Sequence, residues 1–289
     1  MKASSKPRMV VKFWGVRGSI PSPGPSTVRY GGNSPCVSID LGPAKTLIFD
    51  AGTGIRKLGE ALVSSNSAIF ILLSHVHWDH IQGYPFFLPI YQPNREIHLI
   101  PTLREGTLFN QLFEQMDGAH FPVKASSLPS SCLFVSEDVS EKAMPFLHSH
   151  GFDVARIATN HPGGCYGYRV ENEGRAVVYI SDNEMDPPSG KVTDFAEFVQ
   201  FCQGADILIH DSQYTEREMP QKRGWGHSLI SQVRDLALAA QVKHLVLYHH
   251  DPNRTDDELD VIQEDTRLWL RKNGQIECTA AFEGLNLEV

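Results

Sequence analysis

Short apolar runs, closed by Gly, Pro or Asp, recur along the chain and alternate with stretches of helical period. "MVVKFWG" (9–15), "CVSIDLG" (36–42) and "TLIFDAG" (46–52) predict an opening set of antiparallel strands. Residues 55–63 predict a helix, "AIFILLS" (68–74) a fully buried strand and "EIHLIP" (96–101) another. Apolar positions 108, 109, 112, 113 and 116 set a helical face on 103–116. The second half repeats the logic: "FDVARIAT", "CYGYRVENEGRAVVYISD" and "ADILIHD" predict strands, the middle one a hairpin closed around Glu171–Gly174. Helical spacing marks 192–203 and 229–240, "HLVLYHHD" predicts a strand, and "TDDE" (255–258) is a capping box that opens the helix containing Trp269.

Two β-rich halves, each dressed with helices and with no linker between them, predict an α/β (α+β) fold: a four-layer αβ/βα sandwich. The expectation is a single domain over 1–289, with 84–130 as an insert covering the site. The chain has 41% apolar and 21% charged residues, the balance of a soluble globular protein. Its formal net charge of −8, without a dense basic run, counts against a grip on long nucleic acid but not against a small anionic substrate. Five scattered cysteines (Cys36, Cys132, Cys165, Cys202 and Cys278) form no C-x-x-C pair and suit a reducing compartment. No apolar leader follows the basic N-terminal residues and no apolar run is long enough to span a bilayer, so the expected setting is the cytoplasm, away from membranes.

The candidate chemistry clusters at strand tips. The strand at 68–74 runs into "SHVHWDH", which carries His75, His77, Asp79 and His80. His161 follows the strand at 152–159, Asp182 the strand at 175–181, and His249 and His250 the strand at 244–248. Strand ends meet on one edge of a sheet, so four separate tips can surround a common point. Imidazoles with carboxylates suit divalent transition metals. In extended chain His75 and His77 face the same way and can share one ion, while Asp79 and His80 lie a turn further on, placed for a second. A second His-x-His, at His148 and His150, has no Asp-His behind it and reads as inert.

With these residues in place the chain resembles the metallo-β-lactamase superfamily over most of its length. "DAGTG" (50–54) matches the family's first motif and "HVHWDH" its second; His161, Asp182 and the terminal histidine match the third to fifth. The resemblance implies two divalent ions, zinc first, with manganese or iron as alternatives. His75, His77 and His161 would hold one ion and Asp79, His80 and His249 the other, with Asp182 bridging. His249 is preferred to His250 because it follows the apolar strand directly. Asp50 would orient a ligand loop.

An aspartate at the fourth motif, "YISDNE", is the choice of the family's phosphodiesterases and glyoxalase-II-like thioesterases. "LIHDSQYT" (208–215) and "GWGHS" (224–228) look like ribonuclease Z segments, and the opening "GVRGSIPSP…VRYGGNSPC" is similar to small bacterial cyclic-nucleotide phosphodiesterases of the superfamily. The implied pair is Asp211 orienting His227, which would protonate the leaving alkoxide. A hydroxide shared by ions about 3.5–4 Å apart would attack phosphorus, with Asp79 orienting it. The protruding basic arm of ribonuclease Z is absent. The expectation is therefore a dinuclear hydrolase of a small phosphodiester such as a cyclic nucleotide. The alternatives are an RNA-processing nuclease of the ribonuclease Z type and a thioester or lactone hydrolase of the glyoxalase II type. Many relatives are dimers, so the resemblance admits a homodimer.

Other candidates read as structural. His98, His120 and His244 lack convergent partners, His210 reads as a supporting residue, and Cys165 fills space. Trp225 and Tyr166 read as packing before base stacking, and "GGNS" (31–34) as a turn before a phosphate cradle.

Overall fold

The computed structural model describes residues 9–42, 44–100, 107–134 and 139–289. The first half builds β1 (Met9–Gly15), β2 (Cys36–Leu41), β3 (Lys45–Phe49), α1 (Ile55–Leu62), β4 (Ala68–Leu72), α2 (Trp78–Ile81), β5 (Glu96–Ile100), α3 (Thr107–Glu114) and β6 (Ser131–Phe134). The second builds α4 (Val139–Ser149), β7 (Asp153–Thr159), β8 (Cys165–Asn172), β9 (Arg175–Ile180), α5 (Phe195–Cys202), β10 (Ile207–Asp211), α6 (Met219–Lys222), α7 (Ile230–Ala239), β11 (His244–Tyr248), α8 (Asp256–Asn273), β12 (Glu277–Ala280) and β13 (Asn286–Glu288). One sheet has the order β13-β1-β2-β3-β4-β5-β6 and the other β12-β11-β10-β9-β8-β7.

Each central strand is buried on both faces, so its side chains alternate between two cores. In β4, Phe70 and Leu72 face the other sheet while Ile69 and Ile71 pack under α1 against Leu58 and Leu62. In β11, Val246 and Tyr248 face inward, whereas Leu245 and Leu247 meet the helical layer of α5, α7 and α8 through residues such as Phe198, Leu236 and Leu270. The result is the expected sequence of layers: helix, sheet, sheet, helix. β3, β4 and β5 run parallel, as do β9, β10 and β11, so their C-terminal tips share one rim.

Boundaries moved where local geometry intervened. β3 stops at Phe49 because Asp50 adopts φ +62°, and Glu173–Gly174 close the β8–β9 hairpin with φ +49° and +79°, the signs a two-residue type I′ turn requires. Thr255 caps α8 by accepting from Glu258 N, as the capping box predicts. The residues from 103 to 106 of the expected helix lie outside the described ones, and the helix is described from Thr107. The stretch 84–130 is not simply an insert over the site: β5 lies inside it and pairs with β4 and β6 as part of the first sheet. No expectation covered α4, whose helical pattern is interrupted by Pro145, yet its Ala143 and Leu147 close one end of the inter-sheet core. Among the described residues no helix is long and apolar enough to cross a membrane.

The inter-sheet core is knit by aromatic rings. Phe49 of β3 stacks on Tyr168 of β8 (centroids 5.5 Å, 23°) and Tyr179 of β9 (4.9 Å, 15°). Phe49→Ala removes a fully buried ring at the seam, so we expect unfolding in urea to show a loss of about 3–5 kcal/mol. A loss below about 1 kcal/mol would show that the seam collapses around the void.

Candidate metal centre

The rim formed by the strand tips is where the charged and imidazole side chains collect. Asp50, at the end of β3, is fully buried, and its carboxylate accepts from Ser74 N (2.7 Å), Ser74 Oγ (2.9 Å), His80 Nδ1 (2.8 Å) and Tyr179 OH (2.7 Å). Donation from Nδ1 leaves His80 Nε2 with its lone pair toward the cluster. The same device recurs. His249 donates through Nδ1 to Gln213 Oε1 (2.9 Å), and His161 through Nδ1 to Gly226 O (2.9 Å). Each ring is thus held through Nδ1 and turns Nε2 toward the cluster, the arrangement that metal-ligating histidines need.

The free atoms converge. Donor atoms of His75, His77 and His161 lie within 4.8 Å of one another, and so do those of Asp79, His80 and His249. A third group, His75, His80 and Asp182, joins the two. His80 Nε2 stands 3.2 Å from both Asp79 Oδ2 and Asp182 Oδ2, and His249 Nε2 lies 3.3 Å from Asp79 Oδ2 and 3.5 Å from Asp182 Oδ1. His75 Nε2, His80 Nε2 and Asp182 Oδ2 are nevertheless buried with no hydrogen-bond partner. Buried polar atoms left unpaired cost free energy, and three aimed at one space are the signature of an enclosed cation. The donor set, neutral imidazole with carboxylate, fits divalent metal.

Protonation agrees with that fit. Burial, reinforced by the neighbouring His80, holds the His75 pKa well below the ordinary histidine value, and burial brings His161 down to about 4. Both are neutral at pH 7. His80 goes the other way: burial opposes its charge, but Asp79, Asp182 and Asp50 outweigh burial and raise its pKa well above normal. The field that favours a proton on Nε2 would equally favour a metal cation there.

Beside this cluster, His227 donates through Nδ1 to Asp211 Oδ2 (3.0 Å). Asp211 is fixed by the amides of Asn183 (3.1 Å), Gln213 (3.1 Å) and Ser228 (3.3 Å). Burial would depress the His227 pKa, yet the Asp211 carboxylate, with Asp182 and Asp79 beyond it, raises it above the ordinary value. His77, Asp79, Asp182, His227 and His249 form one side of a cavity of about 430 Å³, completed by Ser19, Val76 and Trp78.

The structure therefore brings together every residue the motifs singled out: His75, His77, Asp79, His80, His161, Asp182, His249, Asp211 and His227. His250 is elsewhere, with Nε2 on Ala281 O (2.8 Å), its ring edge-on to Tyr30, and its pKa lowered by burial to about 3. His148 is half-exposed against Asp153, and His150 packs on Phe146. His210 is buried and bonded through Nδ1 to Asp211 O (2.7 Å). Cys165 is buried, Tyr166 packs under Arg156, and Trp225 is exposed outside the cavity lining. The "GGNS" turn spends its amides internally, Asn33 N on Glu283 Oε1 (2.7 Å) and Ser34 N on Thr53 Oγ1 (2.9 Å).

Several supporting residues escaped the sequence reading. Ser19, at φ +66°, donates its N–H to Asp79 Oδ2 (2.8 Å), and Gln213 seats His249. Glu184 is buried and accepts from the amides of Gly224 and Gly226, each at 2.9 Å, so it holds the loop that delivers His227. The one available signal for it was its place two residues after Asp182.

Comparison with known proteins agrees with this geometry. Residues 45–250 match the family model described as a beta-lactamase superfamily domain, and the chain belongs to that superfamily. It is similar to ribonuclease Z of Streptococcus mutans (26% identical, over 76% of this chain and 86% of the relative) and of Thermoplasma volcanium (27%, over 94% and 96%). The metallo-beta-lactamase fold protein YhfI from Bacillus subtilis superposes with a TM-score of 0.67 at 19% identity, covering 98% of this chain and 100% of its own. The short form of human tRNase Z gives 0.60 at 20%, covering 96% and 98%.

Asp50→Asn replaces an acceptor of four hydrogen bonds with an amide that must also donate. We expect zinc affinity, read by chelator competition, to fall about 10- to 100-fold with the fold retained by circular dichroism. Unchanged affinity would show that His80 is seated without it.

Proposed function

We propose that this member of the beta-lactamase superfamily is a two-metal phosphodiesterase acting on a small phosphodiester such as a cyclic nucleotide, in the cytoplasm. The observation that carries this reading is the Asp211–His227 pair, 3.0 Å apart and opening on the same cavity as the metal cluster. His75, His77 and His161 would hold one divalent ion and Asp79, His80 and His249 a second, with Asp182 between them; zinc suits the donors best, and manganese or iron are alternatives. Bound there, the ions supply positive charge to the phosphoryl oxygens and acidify the attacking water toward a pKa of ~7.

The remaining steps belong to the protein. Asp79, steadied by the Ser19 amide, orients the attacking water by accepting a hydrogen bond from it. His227 carries a proton on Nε2 because Asp211 occupies Nδ1 and stabilises the imidazolium. It delivers that proton to the departing alkoxide, and a positioned acid is worth about 10²–10⁴ in rate where the leaving group is poor. A thioester needs no such acid, since a thiolate leaves unaided, which ranks the thioester or lactone reading lower.

Size and charge favour a small substrate. None of the eight residues lining the cavity is Lys or Arg, and the chain carries a net charge of −8, whereas a long polyanion is gripped by basic surface. Four buried free cysteines (Cys36, Cys165, Cys202 and Cys278) suit a reducing compartment. The ribonuclease Z relatives, matched over three-quarters or more of this chain, support a second reading in which the diester is an RNA end.

A panel decides among these: metal-loaded protein against cyclic nucleotides, bis-p-nitrophenyl phosphate, short RNA and a thioester. Turnover of diesters is expected, with cyclic nucleotides ahead of RNA. RNA turnover alone would move the assignment to the nuclease, and thioester turnover without diester turnover would overturn it. His227→Ala is expected to lose about 10²–10⁴ in kcat on a cyclic nucleotide but much less on bis-p-nitrophenyl phosphate, whose leaving group needs no proton. Equal losses on the two would exclude His227 as the acid.

A further inference from the structure

The cavity beside the metal cluster has a wall that the chemistry above does not use. Ser19 offers it a hydroxyl and Val76 a small aliphatic surface, while Trp78 offers a whole indole. Trp78 is 79% exposed, the most exposed large apolar side chain among the described residues. An indole left in water contributes nothing to the core, and large apolar groups held out at a pocket mark a surface kept for a ligand.

Its backbone is firmly held. Trp78 is the first residue of α2 and sits between His77 and Asp79, both facing the cluster. The turn is pinned from both sides: His80 N donates to His77 O (2.9 Å), Gln82 N to Trp78 O (2.8 Å), and Ala51 N to His80 O (2.7 Å). The point from which the indole projects is therefore set by the same backbone turn that carries His77, Asp79 and His80. Trp225, 61% exposed, stands in the loop ahead of His227 but does not line the cavity.

We propose that Trp78 is the specificity-determining residue of this site, the face on which the planar aromatic group of the substrate, of nucleobase class, stacks while the phosphodiester lies over the metals. The proposal rests on the phosphodiesterase reading and deepens it. With no Lys or Arg in the lining, the wall can recognise the uncharged part of the substrate only by stacking and by the Ser19 hydroxyl. Stacking accepts any base, so Trp78 selects nucleotides over aliphatic diesters without choosing strongly among purines and pyrimidines.

The test is a ratio. For metal-loaded wild type, Trp78→Ala and Trp78→Phe, kcat/KM is measured on a 3′,5′-cyclic nucleotide, on a short oligoribonucleotide and on glycerol cyclic phosphate, a diester without an aromatic group. In Trp78→Ala the preference for the nucleotide substrate over glycerol cyclic phosphate should fall about 10- to 100-fold, mostly through KM, and Trp78→Phe should restore most of it. A fall confined to the cyclic nucleotide assigns the base to a mononucleotide, and one confined to the oligoribonucleotide assigns it to an RNA end. An unchanged ratio, including an equal loss on all substrates, overturns the proposal. A second measurement stands apart from turnover: AMP, but not ribose 5-phosphate, should quench tryptophan fluorescence in wild type and not in Trp78→Phe. If no diester is turned over, the phosphodiesterase reading fails, and the quench alone decides Trp78. A response identical in the two proteins then overturns the proposal, and one lost with the indole sustains it.

Discussion

A single buried carboxylate, that of Asp50, ties together the parts on which the rim depends. It sits where β3 leaves its sheet at a positive φ and accepts from Ser74 of the next strand tip, from His80 of the helix beyond and from Tyr179 of the opposite sheet. Four donors in a dry interior satisfy the carboxylate's hydrogen bonds and give its oxygens fixed directions. The backbone repeats the link, since Ala51 N donates to His80 O and Gly83 N to Ala51 O. Both sheets are therefore registered at the one point where their tips must agree.

That registration explains how a rim can hold so many groups that repel one another. His75, His77, His80, His161 and His249 lie among Asp79 and Asp182, and without fixed orientations they would pair with each other or turn to solvent. Instead four of the five rings have their outer nitrogen committed to protein: Ser74 Oγ for His75 (3.0 Å), Asp50 for His80, Gly226 O for His161 and Gln213 for His249, while the exposed His77 meets His161 Nε2 through Nδ1 (3.0 Å). The inner nitrogens are left with lone pairs directed at a common space. Metal binding then needs little reorganisation, and most of that cost is met when the chain folds.

The layers and the clustering of residues at the strand tips were legible in the sequence for a physical reason. Strands buried on both faces write continuous apolar runs, and a polar residue of the rim falls at the end of such a run, as Asp50, His75, Asp182 and His249 all do. What surrounds them was not legible. Ser19, Glu184 and Gln213 act through contacts across 36 to 60 positions of chain, for instance Ser19 N on Asp79 Oδ2, and no local pattern records a contact of that range. Helix α4 was hidden by Pro145, and β5 was folded into an expected insert because its apolar run gives no clue to which sheet it joins. The choice between His249 and His250 rested on adjacency to β11. The structure gives the cause: His249 turns into the cluster at φ +58°, while its neighbour points at Ala281.

The loop carrying His227 shows how the His/Asp cluster and the Asp211–His227 pair are made one unit. Gly226 accepts from His161 through its carbonyl and donates through its amide to Glu184, so a ring of the cluster and the loop next to His227 are held through one residue. Its φ is +88°, and a Cβ there would lie 2.3 Å from His161 Nδ1 and 2.5 Å from Pro162 Cδ, so only glycine fits. Gly18 does the same on the other flank, where a Cβ would meet His249 Nδ1 at 2.4 Å. Glycine at these positions lets backbone approach the outer edge of a ligand ring, and the rings in turn are wedged against that backbone. Displacing the loop would therefore move His161 together with His227. The positions of His161 and His227 are set by the same contacts, which couples the two rings by construction.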